Sequence, residues 1–102
     1  MDTCYVTAVL AAKKGMEEQL EAEVVANIPN VRAESGCIRY DFHKSRTEAG
    51  TFLFYEIWES PEALSAHAQS PHMRAYKERT SNLLARPTVV DVWSAVACGE
   101  SI

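Results

Sequence analysis

The stretch TFLFYEIWE, residues 51–59, is apolar on both of the faces an extended chain presents. Phe52, Phe54, Glu56 and Trp58 would point one way; Leu53, Tyr55 and Ile57 would point the other. An antiparallel strand with one wetted face alternates apolar and polar residues, so this strand needs cover on both sides. The chain has 102 residues, enough for a single modest core. Its helices can cover one sheet face, and no further element is left for the second. A homodimer packed through that sheet face follows, because an exposed apolar patch of this kind is an association site.

The rest of the chain arranges itself around this strand. CYVTAVLAA, Cys4 to Ala12, is short and rich in β-branched and apolar residues, which predicts a first strand. Met16, Leu20, Val24, Ile28 and Val31 recur at helical spacing behind a cluster of glutamates that suits a helix N-terminus. Pro29 is expected to kink or end that helix. CIRYDFH, Cys37 to His43, alternates, with Ile38, Tyr40 and Phe42 on one face and Arg39, Asp41 and His43 on the other. Ser60-Pro61 and Ser70-Pro71 each read as an N-cap followed by proline in the first helical position. They open a short helix, PEALSAHAQ, and a longer one, PHMRAYKERTSNLLA, and a last strand runs from about Thr88 to Ala97. The order β-α-β-β-α-β, with its second helical element split, is the ferredoxin-like α+β arrangement of helices on one face of an antiparallel sheet. Residues 1–102 read as one domain without repeats or linkers.

Composition narrows the partners. Hydrophobic residues make up 47% of the chain, so it folds. A net charge of -4 gives no basic face for a phosphate backbone, so no nucleic acid is expected. No apolar run approaches the roughly 20 residues of a membrane span, and MDTCYV lacks the features of a secretory signal; no membrane association and a cytoplasmic location are expected. Cys4, Cys37 and Cys98 are odd in number, far apart and without a CxxC, which argues against a disulfide framework or a zinc site.

The residues that could carry chemistry gather between Glu56 and Tyr76. His67 follows Leu64 by three and Ala63 by four residues, so it shares their inward helix face. It reads either as a base or donor in a cavity or as a core histidine bonded to a carbonyl. His72 sits in the first turn after Pro71, where the helix dipole disfavours an imidazolium; a neutral ring there either donates to a developing oxyanion or packs over the preceding turn. The two histidines are five apart across a helix break, not at the i, i+4 spacing of a helical metal pair, and no metal is expected even with Glu56 and His43 in reach. Glu56 lies among aromatics, which would raise its pKa and make it a candidate base, unless it pairs with Arg39 or Arg74. Trp58, Tyr55, Tyr40 and Phe54 read either as walls for a flat aromatic ligand or as plain core.

The segment YEIWESPEALSAHAQSPHMRAY resembles the core signature of the antibiotic biosynthesis monooxygenase family, in its E-x-W-E-S, A-L-x-A-H and S-P-H-x-x-x-Y parts. AAKKGMEEQL, ESGCIRYDFH and NIPNVRAESGC are similar to the small bacterial quinol monooxygenase branch, so the likeness spans about residues 3 to 97. It implies a dimeric ferredoxin-like fold, a dimeric α+β barrel, with a cavity between helices and sheet. It also implies oxidation of a quinol or phenol by O2 with no cofactor. On this sequence it casts His67 or Glu56 as base and His72 as donor, with Trp58, Tyr55, Tyr76 and Phe54 as walls. Polyketide-oxidising members carry Asn where Phe54 stands, and strand one lacks the Asn of haem-degrading relatives, whose Trp and His fall on His67 and Lys77; haem degradation is not implied. A branch that isomerises a small phosphorylated ketone carries a similar histidine pattern, for which Arg39, Arg74 and Lys77 would supply cations. A non-catalytic dimeric binding domain is the remaining alternative.

Overall fold

Every residue of the stretch Thr51–Trp58 is extended in the computed structural model, which describes residues 2–99. As strand β3 it lies between β2 (Cys37–Lys44) and β1 (Cys4–Ala11), with β4 (Val89–Trp93) outside β1. The sheet order is β2-β3-β1-β4 and all neighbours are antiparallel. Helix α1 (Glu17–Arg32) joins β1 to β2; helices α2 (Pro61–Ala68) and α3 (Pro71–Thr80) and a 3-10 turn (Ser81–Leu83) lead from β3 to β4. This is the ferredoxin-like order expected from the sequence.

Register decides which side chains face the helices. Glu56 is opposite Val6 on β1 and Tyr40 on β2, and Phe54 is opposite Ala8 and Phe42. Cys4, Val6, Ala8, Leu10, Phe52, Phe54 and Trp58 therefore share one face, which packs with Leu20, Val24 and Val31 of α1 into the core. Trp58, Phe52 and Leu20 are fully buried, each worth about 1.5–3 kcal/mol in surface removed from water. The opposite face carries Val9, Leu53, Tyr55, Val89 and Trp93, with Ile57 already buried among them, and no helix of the described residues lies over it. Leu53 is 37% and Trp93 54% exposed there.

Both Ser-Pro pairs cap as expected: Ser60 Oγ accepts from the Ala63 N–H at 3.0 Å and Ser70 Oγ from the Met73 N–H at 3.3 Å. Four local expectations are corrected. Pro29 does not end α1, which continues to Arg32. Only the bond to the Val25 carbonyl is lost; Val25 and Pro29 are both exposed, so water can satisfy that carbonyl, while Val24 and Val31 stay anchored in the core. Helix α3 stops at Thr80 rather than running to Ala85, and the last strand is Val89–Trp93 rather than Thr88 to Ala97. Ile38 does not join Tyr40 and Phe42: a register shift between Cys37 and Arg39 leaves it 47% exposed. No helix among the described residues is long and apolar enough to cross a membrane.

Candidate active site

Small side chains on β1, Val6 and Ala8, leave room between the sheet and α2 and α3. A cavity of about 420 Å³ occupies it, within the range of small-molecule sites. Phe54, Leu64, Met73, Leu84 and Val90 make its wall apolar, and Tyr40, Glu56, His67 and Tyr76 bring polar groups to it, with Lys77 at the rim.

Helix α2 presents His67 to this cavity because Ser60 and Pro61 set where the helix starts. The ring lies tilted by 33° over the indole of Trp58, centroids 4.5 Å apart, and meets Tyr40 edge-on at 5.8 Å. Its Nδ1 is 2.9 Å from Glu34 Oε2. Its Nε2 has no hydrogen bond, and among the described residues no fully buried side-chain nitrogen or oxygen lacks a partner. Nε2 is therefore not fully enclosed, and His67 is one of the residues that line the cavity. Burial holds the His67 pKa below its ordinary 6.5, against the opposing pull of Glu34, so the ring is neutral near pH 7.

Glu56 is buried beside His67 on the cavity floor. Trp58 Nε1–H donates to its Oε1 at 2.9 Å. Desolvation raises its pKa to about 7, despite that hydrogen bond. Burial also pushes the Tyr40 phenol far above its ordinary value and that of Tyr76 up to about 12, so both remain hydroxyl donors at neutral pH. Cys37, behind the site, is raised to about 11 by burial first and Glu34 second, so it stays a thiol and is a poor nucleophile.

Of the residues singled out in the sequence, Glu56, His67, Phe54 and Tyr76 line the cavity. Trp58 stands behind it, orienting Glu56 and backing His67. His72 is also outside the lining; its Nε2 is bonded to Glu34 Oε2, and its side chain is 27% exposed. The wall expected of Trp58 and the donor expected of His72 are thus corrected, and three further expectations with them. Tyr55 lies on the opposite sheet face, since its neighbours Phe54 and Glu56 take the helix side. Arg39 is on that same far face, paired with Asp41 at 3.3 Å, and not with Glu56. Arg74 is exposed on α3 and donates to the Gln69 carbonyl at 3.2 Å. Of the three cations considered for a phosphorylated substrate, only Lys77 reaches the cavity. Among the described residues, no three His, Cys, Asp or Glu side chains converge as a metal-binding set.

Glu34 is the residue that sequence reasoning missed. It sits in the turn after α1, is 12% exposed, and gives one carboxylate oxygen to two histidines 33 and 38 positions away. In the sequence, ESG reads only as the end of a helix. The one local hint is Gly36, whose φ of +88° and close approach to Ala63 make that turn specific.

The sequence model of the antibiotic biosynthesis monooxygenase family matches residues 3–79, from the start of β1 into the last turn of α3. The uncharacterized protein sll1783 of Synechocystis sp. is 33% identical over 92 residues, 90% of this chain; the chain spans 63% of that relative's length. A Mycobacterium tuberculosis protein named "Putative monooxygenase Rv0793" is 38% identical over 73 residues, 72% of this chain and 71% of that protein. The solved structure of Rv0793 superposes with a TM-score of 0.89 at 30% identity, covering 97% of this chain and 100% of the other. PA3566 from Pseudomonas aeruginosa superposes with a TM-score of 0.88 at 29% identity over 95% and 97% of the two chains. The matched residues build β1, β2, β3, α1, α2 and nearly all of α3, leaving out β4, and this chain belongs to the antibiotic biosynthesis monooxygenase family.

Proposed function

We propose that this protein is a monooxygenase that oxidises a phenol or quinol with O2 and uses no metal or organic cofactor. The observation that carries this reading is the unbonded Nε2 of a neutral His67 lining a cavity whose wall is mainly apolar and aromatic. Family membership supports the reaction type.

The chemistry balances with these residues. His67 Nε2 takes the phenolic proton. The phenolate passes one electron to O2, and the aryloxyl radical and superoxide combine into a C–O bond at a ring carbon that bears hydrogen. The peroxide oxygen takes the proton back from His67 as a hydroperoxide. His67 then removes the ring C–H proton while the O–O bond breaks; the carbonyl forms, and the departing hydroxide receives that proton as water. Phenol plus O2 gives quinone plus water. Negative charge develops on the phenolate and peroxide oxygens, and the hydroxyls of Tyr40 and Tyr76 and the protonated form of Glu56 can donate to it. A substrate that fills the cavity would displace water from its apolar wall, which strengthens those contacts.

We propose further that a second copy of the chain covers the outer sheet face at Val9, Leu53, Tyr55 and Trp93, where the described residues offer no helix. Apolar residues crowd both sides of the central strands, as a buried sheet requires.

The test is O2 uptake by purified, chelator-dialysed protein against a panel of hydroquinones and polycyclic phenols. The expected result is uptake that requires substrate, matches quinone formation one to one, and falls about 100-fold or more in His67→Ala. No uptake across the panel would overturn the reading.

A further inference from the structure

One oxygen of Glu34 stands between Nδ1 of His67, at 2.9 Å, and Nε2 of His72. Donor counting assigns the protons. The Ser70 hydroxyl donates to the His67 carbonyl at 2.8 Å, and its oxygen accepts the Met73 N–H. Ser70 therefore has no proton left for His72 Nε2, 3.2 Å away, so that nitrogen is itself the donor, shared between Ser70 Oγ and Glu34. An ionised Glu34 Oε2 then accepts one N–H from each ring, one for each of its lone pairs. His67 carries its proton on Nδ1, and the lone pair of Nε2 is turned to the cavity.

The turn holding Glu34 is docked firmly enough to make this a fixed arrangement. The Glu34 N–H bonds the Val31 carbonyl at 2.9 Å, and the Gly36 carbonyl accepts from Glu59 N–H at 2.9 Å. Gly36 lies so close to α2 that a Cβ there would sit 2.6 Å from Cβ of Ala63, one helical turn before His67. The backbone of the turn and the base are thus set against the same short helix.

We infer that Glu34 is the positioning residue of this site: it holds His67 in the Nδ1–H form that aims a lone pair at the substrate, and balances the imidazolium once Nε2 has taken the proton. This rests on His67 being the base of the proposed reaction. His72, through its own N–H, keeps the carboxylate in place. The division of labour parallels the carboxylate–histidine pairs of hydrolases, where the acid orients the ring and does not itself react.

Nitrogen-15 NMR of the histidine rings in the wild-type protein at pH 7.5 tests the tautomer without any variant. The expected result is a His67 ring protonated at Nδ1 and bare at Nε2, the minor form of free histidine. A His67 ring protonated at Nε2 would overturn the inference. Glu34→Gln keeps the shape and removes the charge. It is expected to lower kcat about 100-fold with KM changed no more than about threefold, as loss of an orienting carboxylate does. Unaltered kcat with an unaltered His67 ring would overturn the inference too. If the wild type consumes no O2 with any substrate, the proposed reaction falls, yet the ring measurement still decides what Glu34 does to His67.

Discussion

Glu56 offers a stability experiment that isolates one carboxyl group. Its side chain is buried, and desolvation raises its pKa from an ordinary 4.5 to about 7. Glu56→Gln removes the titration but keeps an oxygen for the Trp58 N–H, so packing is nearly unchanged. At pH well below 4.5 the carboxyl is protonated in both folded and unfolded chains, and wild type and variant differ little. As pH rises toward 7, the unfolded chain releases its proton while the folded chain retains it, so the wild type loses stability. Above about 7 both forms are ionised and the full cost is present. At 1.36 kcal/mol per tenfold change in proton affinity, that cost is about 3 kcal/mol. The variant should then exceed the wild type by under about 1 kcal/mol at pH 5 and by about 3 kcal/mol at pH 8, on the order of 10 °C in Tm. Urea unfolding followed by tryptophan fluorescence, at one protein concentration and both pH values, reads the difference. A gap between variant and wild type that is the same at pH 5 and pH 8 would refute the argument that burial governs this group.

Three further outcomes follow from the same geometry. Since burial lowers the His67 pKa, activity that needs its neutral ring should lose kcat/KM on the acid side only below pH 6.5; a limb near 7 that vanishes in Glu56→Gln would make Glu56 the base instead. Gly36→Ala should cost about 1–3 kcal/mol, from its positive φ and the contact with Ala63, and should lower kcat beyond what residual unfolding explains; wild-type melting and turnover would refute the docked turn. Leu53→Asp should halve the mass measured by light scattering if a second copy covers the outer face, and a wild-type protein that is already monomeric would contradict the pairing.

Much of the fold was legible in the chain because its signals are local. The two Ser-Pro caps set where α2 and α3 begin, and the two-sided apolar pattern of Thr51–Trp58 gave β3 its central place. Pro29 misled because the cost of a proline depends on where the lost bond points, and here it points to water. The site was legible only in part. His67 could be read from its spacing to Ala63 and Leu64, and Glu56 from its aromatic neighbours. Tyr55 and Arg39 do not belong to the cavity, because strand alternation sends them to the face opposite Glu56.

What the sequence by itself determined is the order of elements, the caps of α2 and α3 and the inward face of the helices, because periodicity and capping act over a few residues. Only the tertiary structure decided that Glu34 meets His67 and His72 across 33 and 38 positions, and that Arg74 does not reach the cavity. Those outcomes depend on how a turn docks against a helix, and the close contact of Gly36 with Ala63 that seats it leaves no periodic trace in the chain.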